Sequence, residues 1–181
     1  DVSSVDIQSG DLLWQTPTQS SAIYENSFSL KNSDLISEKN TIYFSNNKNE
    51  FFALDERTGI IKWKQTLNSN LRPTYADGLL FTVTLEGYLV VIDSKNGNIV
   101  RMTNIFVHIK NHKTKNIKPE GFIVAKDEIY LSLNNGKLII IDITTGKSKN
   151  ILKIDNGKIS RPYVLNNNMY IVRDNSIIKL N

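Results

Sequence analysis

Both histidines of the chain, His108 and His112, fall in one stretch, residues 104–120, together with four lysines, Lys110, Lys113, Lys115 and Lys118. Two histidines four residues apart ligate a metal when a helix carries both rings to one face. Here Phe106, His108 and Lys110 alternate with Val107 and Ile109, which is the period of a strand, so no metal site is expected. The basic residues suit contact with an acidic partner or a lipid headgroup, which makes Lys110, His112, Lys113, Lys115 and Lys118 the candidate partner-binding residues. The same composition also suits a solvated loop. A second basic pair, Arg72-Pro73 and Arg161-Pro162, recurs in matching segments.

Catalytic constellations are not evident. The absence of cysteine removes disulfides, thiolate metal sites and thiol nucleophiles. Two histidines in one stretch do not supply a Ser-His-Asp set, and neither a Gly-rich phosphate loop nor a paired-carboxylate signature is present. No catalytic, cofactor-binding or metal-binding residue is therefore assigned, and the chain is expected not to be an enzyme.

What must position any site is a phrase that recurs four times: an apolar strand end, Asp, three residues, Gly, three residues, and a further side chain. It reads Asp6, Gly10, Trp14; Asp55, Gly59, Trp63; Asp93, Gly97, Arg101; and Asp142, Gly146, Asn150. The aspartates are 49, 38 and 49 residues apart, and Asn181 takes the same slot after 39 more. Units of about 40 residues match a four-stranded propeller blade. Between the corners lie short β-branched and aromatic runs bounded by Gly, Asn and Asp, such as 79–84 and 88–92, which read as strands joined by tight turns. No window shows sustained helical periodicity.

The expected fold is thus all-β: a single propeller domain over residues 1–181, built of four-stranded antiparallel blades. About four blades are expected, three complete and one split between the termini. In the corner, Asp accepts hydrogen bonds from turn N–H groups and Gly takes the positive φ of a bulged hairpin. Trp14 and Trp63 are expected to fasten neighbouring blades, with looser junctions where Arg101 and Asn150 replace tryptophan. The longer units place their excess at residues 17–32 and 104–120, on one face of the ring, where insertions commonly bind partners. If inner strands line the axis, Arg72 and Arg161 stand either in the channel or exposed at its mouth.

A net charge of +4 with 22 basic and 18 acidic residues is a mild bias that fits a solvated surface. It does not call for nucleic acid as a partner. No run of residues is long and apolar enough to span a bilayer. The first residues, Asp1-Val2-Ser3-Ser4, lack the features of a secretion signal, so the chain reads as a mature or trimmed form.

The phrases Phe52-Ala53-Leu54-Asp55-Glu56-Arg57-Thr58-Gly59-Ile60-Ile61-Lys62-Trp63 and Val5-Asp6-Ile7-Gln8-Ser9-Gly10-Asp11-Leu12-Leu13-Trp14 closely resemble the repeat of pyrroloquinoline-quinone-type β-propellers. Four blades could close on themselves, but the resemblance implies seven or eight in the complete ring, so the chain is expected to form half of one, with a second copy or further residues completing it. One branch of the family, the quinoprotein dehydrogenases, holds its quinone on the ring axis with calcium, in many members beside a vicinal disulfide. This chain has no cysteine and no Glu, Asn and Asp set that maps onto the calcium ligands. The other branch, the BamB-type lipoprotein of outer-membrane protein assembly, is similar in character and implies a cofactor-free protein-binding scaffold. On that resemblance the chain is expected in the periplasm or at the outer membrane, within an assembly complex, with membrane association through a lipid anchor outside this sequence. A quinone-dependent dehydrogenase and the sensor propeller of a signalling protein are the alternatives.

Overall fold

The computed structural model describes residues 1–18, 30–107 and 116–180, and every helix or strand among them is a β-strand. β1 (Val2–Val5) and β2 (Leu12–Thr16) form a two-stranded sheet. Three complete blades follow. They are β3 (Ile36–Glu38), β4 (Thr41–Asn46), β5 (Glu50–Asp55) and β6 (Ile61–Gln65); β7 (Thr74–Ala76), β8 (Leu79–Val83), β9 (Tyr88–Asp93) and β10 (Ile99–Asn104); and β11 (Pro119–Ala125), β12 (Glu128–Leu133), β13 (Lys137–Asp142) and β14 (Ser148–Lys153). The last sheet has three strands, β15 (Tyr163–Leu165), β16 (Asn168–Arg173) and β17 (Ser176–Leu180). All pairings are antiparallel, as expected for meanders.

The two partial sheets do not merge into one split blade among the described residues. β1 already holds the third-strand position against its outer partner β2, while β17 holds the third-strand position against β16. The two remain in separate sheets.

Each sheet packs its faces on its neighbours, which explains why the middle strands read as unbroken apolar runs: they are buried on both sides. Phe44, Phe52 and Leu54 meet Val2 of the first sheet, and Tyr43 and Phe51 meet Leu80, Val90 and Ile92 of the next blade. Phe81 and Val91 meet Ile129 and Ile141, and Tyr130 and Leu138 meet Ile171. Phe51, fully buried, contributes roughly 2–3 kcal/mol through that burial.

Three of the four inner strands begin only at Ile36, Thr74 and Tyr163, whereas β11 begins at Pro119. Pro73 and Pro162 lack an N–H for the ladder, and the residues ahead of the paired segment are held partly by side chains. Ser33 donates its N–H to Ser45 O at 2.8 Å and accepts the Ser45 N–H on Oγ at 3.0 Å. Ser160 repeats this with Val172 at 2.9 and 2.8 Å.

The corner adopts the expected geometry. Gly10, Gly59, Gly97 and Gly146 have φ of +77°, +72°, +76° and +71°, and each donates its N–H to the carbonyl of its aspartate at 2.8–2.9 Å. At Asp55 the carboxylate accepts from the Thr58 hydroxyl at 2.9 Å and N–H at 3.0 Å. The hydroxyl bond first and the N–H bond second, with Lys62 assisting, hold its pKa at about 2, against 3.8 for an unperturbed group. A depressed carboxyl stabilises the fold fully above pH 3.8 and loses that contribution as pH falls through about 2. Carboxyl titration by NMR is expected to place Asp55 near 2, and Thr58→Val to move it upward.

Candidate functional site

The blades are locked to one another by a clasp that crosses every described junction between corners. Trp14 donates Nε1–H to Glu56 O and Trp63 donates Nε1–H to Ser94 O, both at 3.0 Å. The accepting carbonyl each time belongs to the residue after the next blade's corner aspartate. The ring then lies over that corner's glycine: a Cβ on Gly59 would meet Trp14 at 2.5 Å and one on Gly97 would meet Trp63 at 2.7 Å. Tryptophan fastens neighbouring blades as expected. Two residues on, Thr16 Oγ1 donates to Gly59 O at 2.6 Å and Gln65 Nε2 to Gly97 O at 2.9 Å.

Arg101, where a looser junction is expected, keeps part of the clasp. Its guanidinium reaches over the following blade, donating to the carbonyls of Ile143 at 2.6 Å and of Thr144, so the polar half of the clasp survives without the indole. The apolar half does not. A crevice of about 280 Å³ lies between these blades, bounded by Leu79, Phe81, Val91, Val100 and Ile143, and Arg101 Nε is buried there without a hydrogen-bond partner. Arg101→Trp is expected to fill this space and restore an Nε1–H donor, stabilising the fold by about 1 kcal/mol in a denaturant melt. Asn150 turns back on its own strand, its Oδ1 accepting the Ile151 N–H at 2.8 Å.

The face opposite the corners carries the ends of both long connections. Lys31 donates its N–H to Asn47 Oδ1 at 2.8 Å, and Lys118 donates its N–H to Asn134 Oδ1 at 3.0 Å. Asn47 and Asn134 sit in the turns between second and third strands of their blades, which places these ends on one face. Of the candidate partner-binding residues, Lys118 is exposed on this face. Lys110, His112, Lys113 and Lys115, with His108, lie outside the described residues.

The same face opens into a cleft at the axis. Asp34, Arg72, Gly121 and Arg161 share one register position, each two residues ahead of the inner-strand partner of Tyr43, Phe81, Tyr130 or Tyr170. Arg72 is exposed and Arg161 half-buried, and the two line the same cleft of about 280 Å³ with Asn32, Asp34, Asn70 and Glu120. Pro73 and Pro162 are buried behind them. Arg161 donates Nε–H to Phe122 O at 2.9 Å. Its stem passes over Gly121, where a Cβ would stand 2.6 Å from Arg161 Cβ, so the blade lacking an arginine makes room for its neighbour's. Burial first and the Arg72 charge second hold the Arg161 guanidinium below the ordinary arginine range.

Sequence reasoning singled out the arginines but not Asp34, Asn32, Asn70 or Glu120. The signal was available in principle, since Asp34 stands 21 residues before Asp55 as Arg72 stands 21 before Asp93.

The cleft does not fit the calcium that accompanies a quinone. No group of three or more His, Cys, Asp or Glu that could hold a metal exists among the described residues. Of the two cleft carboxylates, Glu120 is engaged by Lys158 at 2.5 Å. No helix of the described residues is long and apolar enough to cross a membrane.

Residues 1–103 match the family model described as outer membrane protein assembly factor BamB. Among solved structures, BamB from Moraxella catarrhalis is similar at 16% identity and a TM-score of 0.55, over 73% of this chain and 39% of that one. Sqt1 from Saccharomyces cerevisiae is similar at 13% identity and a TM-score of 0.67, over 99% of this chain and 51% of that one. The quinohemoprotein alcohol dehydrogenase ADHIIG from Pseudomonas putida HK5 is similar at 18% identity and a TM-score of 0.54, over 64% of this chain and 19% of that one. At these identities the likeness shows the fold, a β-propeller, and the chain spans about half or less of each structure. No curated protein sequence matches the chain.

Proposed function

Because the chain belongs to the family of the outer membrane protein assembly factor BamB, we propose that it is a non-enzymatic scaffold that binds partner proteins of outer-membrane assembly in the periplasm. The family match over residues 1–103 carries this proposal. Two features of the molecule support it. The sheets are fastened by a repeated clasp in which side chains donate to backbone carbonyls of the next blade. The ends of both long connections and the axial cleft share one face, which is where a rigid propeller presents variable loops.

A photo-crosslinking side chain placed at Lys118, on the connection face, is expected to capture components of the outer-membrane assembly machinery in cells. One placed at Lys95, in a corner on the opposite face, is expected to capture far less. Titration with pyrroloquinoline quinone and calcium is expected to show no stoichiometric uptake. Stoichiometric uptake would replace the scaffold with the quinone-dependent dehydrogenase, and capture from Lys95 equal to that from Lys118 would remove the binding face.

A further inference from the structure

The axial cleft holds more positive charge than the described residues neutralise. None of the ion pairs among the described residues involves Arg72 or Arg161. Glu120, which lines the same cleft, is already paired to Lys158. That leaves Asp34 as the one carboxylate to set against two guanidiniums among the described residues of the cleft. Arg161 is fixed in place by its Nε bond to Phe122 O and by the space that Gly121 leaves for its stem. Its two terminal nitrogens make no hydrogen bond among the described residues, so the donating fork is oriented and free.

Resting on the scaffold reading above, we infer that this cleft binds an acidic segment of a partner protein, whose carboxylates are received by Arg72 and Arg161. The guanidinium fork matches the two oxygens of a carboxylate. A bound carboxylate also relieves the repulsion between the exposed Arg72 and the half-buried Arg161. The amides of Asn32 and Asn70 at the rim can donate to the same segment's backbone carbonyls. Asp34 sets a lower limit on selectivity: it repels the ligand while tempering the arginines when the cleft is free of one. A peptide is favoured over a free anion because the cleft opens on the face that carries the exposed Lys31 and Lys118, where an extended segment has basic side chains to follow beyond the axis.

The test uses the whole chain and a fluorescein-labelled oligoglutamate peptide, with oligoglutamine and inorganic phosphate as comparison probes, read by fluorescence anisotropy at low ionic strength. Oligoglutamate is expected to bind and oligoglutamine not to. Arg72→Gln, at an exposed side chain that makes no described hydrogen bond, is expected to weaken oligoglutamate about fivefold while leaving the melting curve unchanged. Arg161→Lys keeps the charge and loses the fork, and is expected to weaken it by a similar factor. Asp34→Asn is expected to tighten it about threefold, a change that a purely structural role for the cleft does not produce. Lys95→Gln, on the opposite face, is expected to leave it unchanged. Equal affinity in wild type and Arg72→Gln, or binding of phosphate without oligoglutamate, overturns the inference. Either result accompanied by continued crosslinking from Lys118 leaves the scaffold itself standing, so the two failures are distinguishable.

Discussion

Trp63→Ala is expected to cost about 3 kcal/mol. The indole stands between two blades. Its ring stacks on Phe51 with centroids 5.8 Å apart and tilts against Tyr43 at 5.9 Å, and both of these partners are buried. Alanine removes the apolar contact with them, opens a space that rigid sheets cannot close, and leaves Ser94 O without its Nε1–H donor. Tyr43 Oη, which lies 3.4 Å from the same carbonyl, offers only a long replacement. For a domain of this size the loss corresponds to a fall of roughly 6–12 °C in melting temperature. A scanning-calorimetry shift under about 2 °C would show that the junction does not depend on the indole.

Gly97→Ala attacks the same junction from the other side and is expected to cost about 2–4 kcal/mol. Two causes add. At φ +76° a side chain carries roughly 1 kcal/mol of backbone strain. Its Cβ would also lie 2.7 Å from the Trp63 ring, and that ring is hemmed in by Tyr43 and Phe51 and cannot retreat. Gly10 separates the two causes within the same molecule. It has φ +77° and open space around its missing Cβ, so Gly10→Ala should cost only the backbone part, about 1 kcal/mol. In the double variant Trp63→Ala/Gly97→Ala the steric part disappears, and the cycle should return a coupling of about 1–2 kcal/mol. Additive losses would mean that glycine is required for conformation alone.

These two expectations show how a corner that looks architectural in the sequence serves two neighbours at once. The sequence places Asp, Gly and Trp at fixed intervals, and turn chemistry explains the first two within a single hairpin. Nothing local says that the glycine of one blade is the floor for the tryptophan of the blade before it. That relation spans 34 residues between Trp63 and Gly97, and it arises only when blades stack. The same holds for Arg101. By residue type it is a poor substitute for an indole, yet a long planar donor reaches the same carbonyl position, so hydrogen bonding was retained where apolar filling was lost.

By itself the sequence determined the class of fold, the length of the repeat and the location of its corners, because those follow from short-range chemistry: alternating or continuous apolar runs, turn residues with positive φ, and a fixed period. It also marked the two long connections by their excess length. Tertiary structure alone decided which residues meet across blades. It brought Asp34, Arg72 and Arg161, which are distant in the chain, to one end of the axis, because all three hold the same register position relative to the second strands of their blades. It also left the two terminal sheets unpaired with each other, because a hydrogen-bonded ladder needs two strands brought side by side and the stacking of the blades does not bring β17 beside β1 or β2.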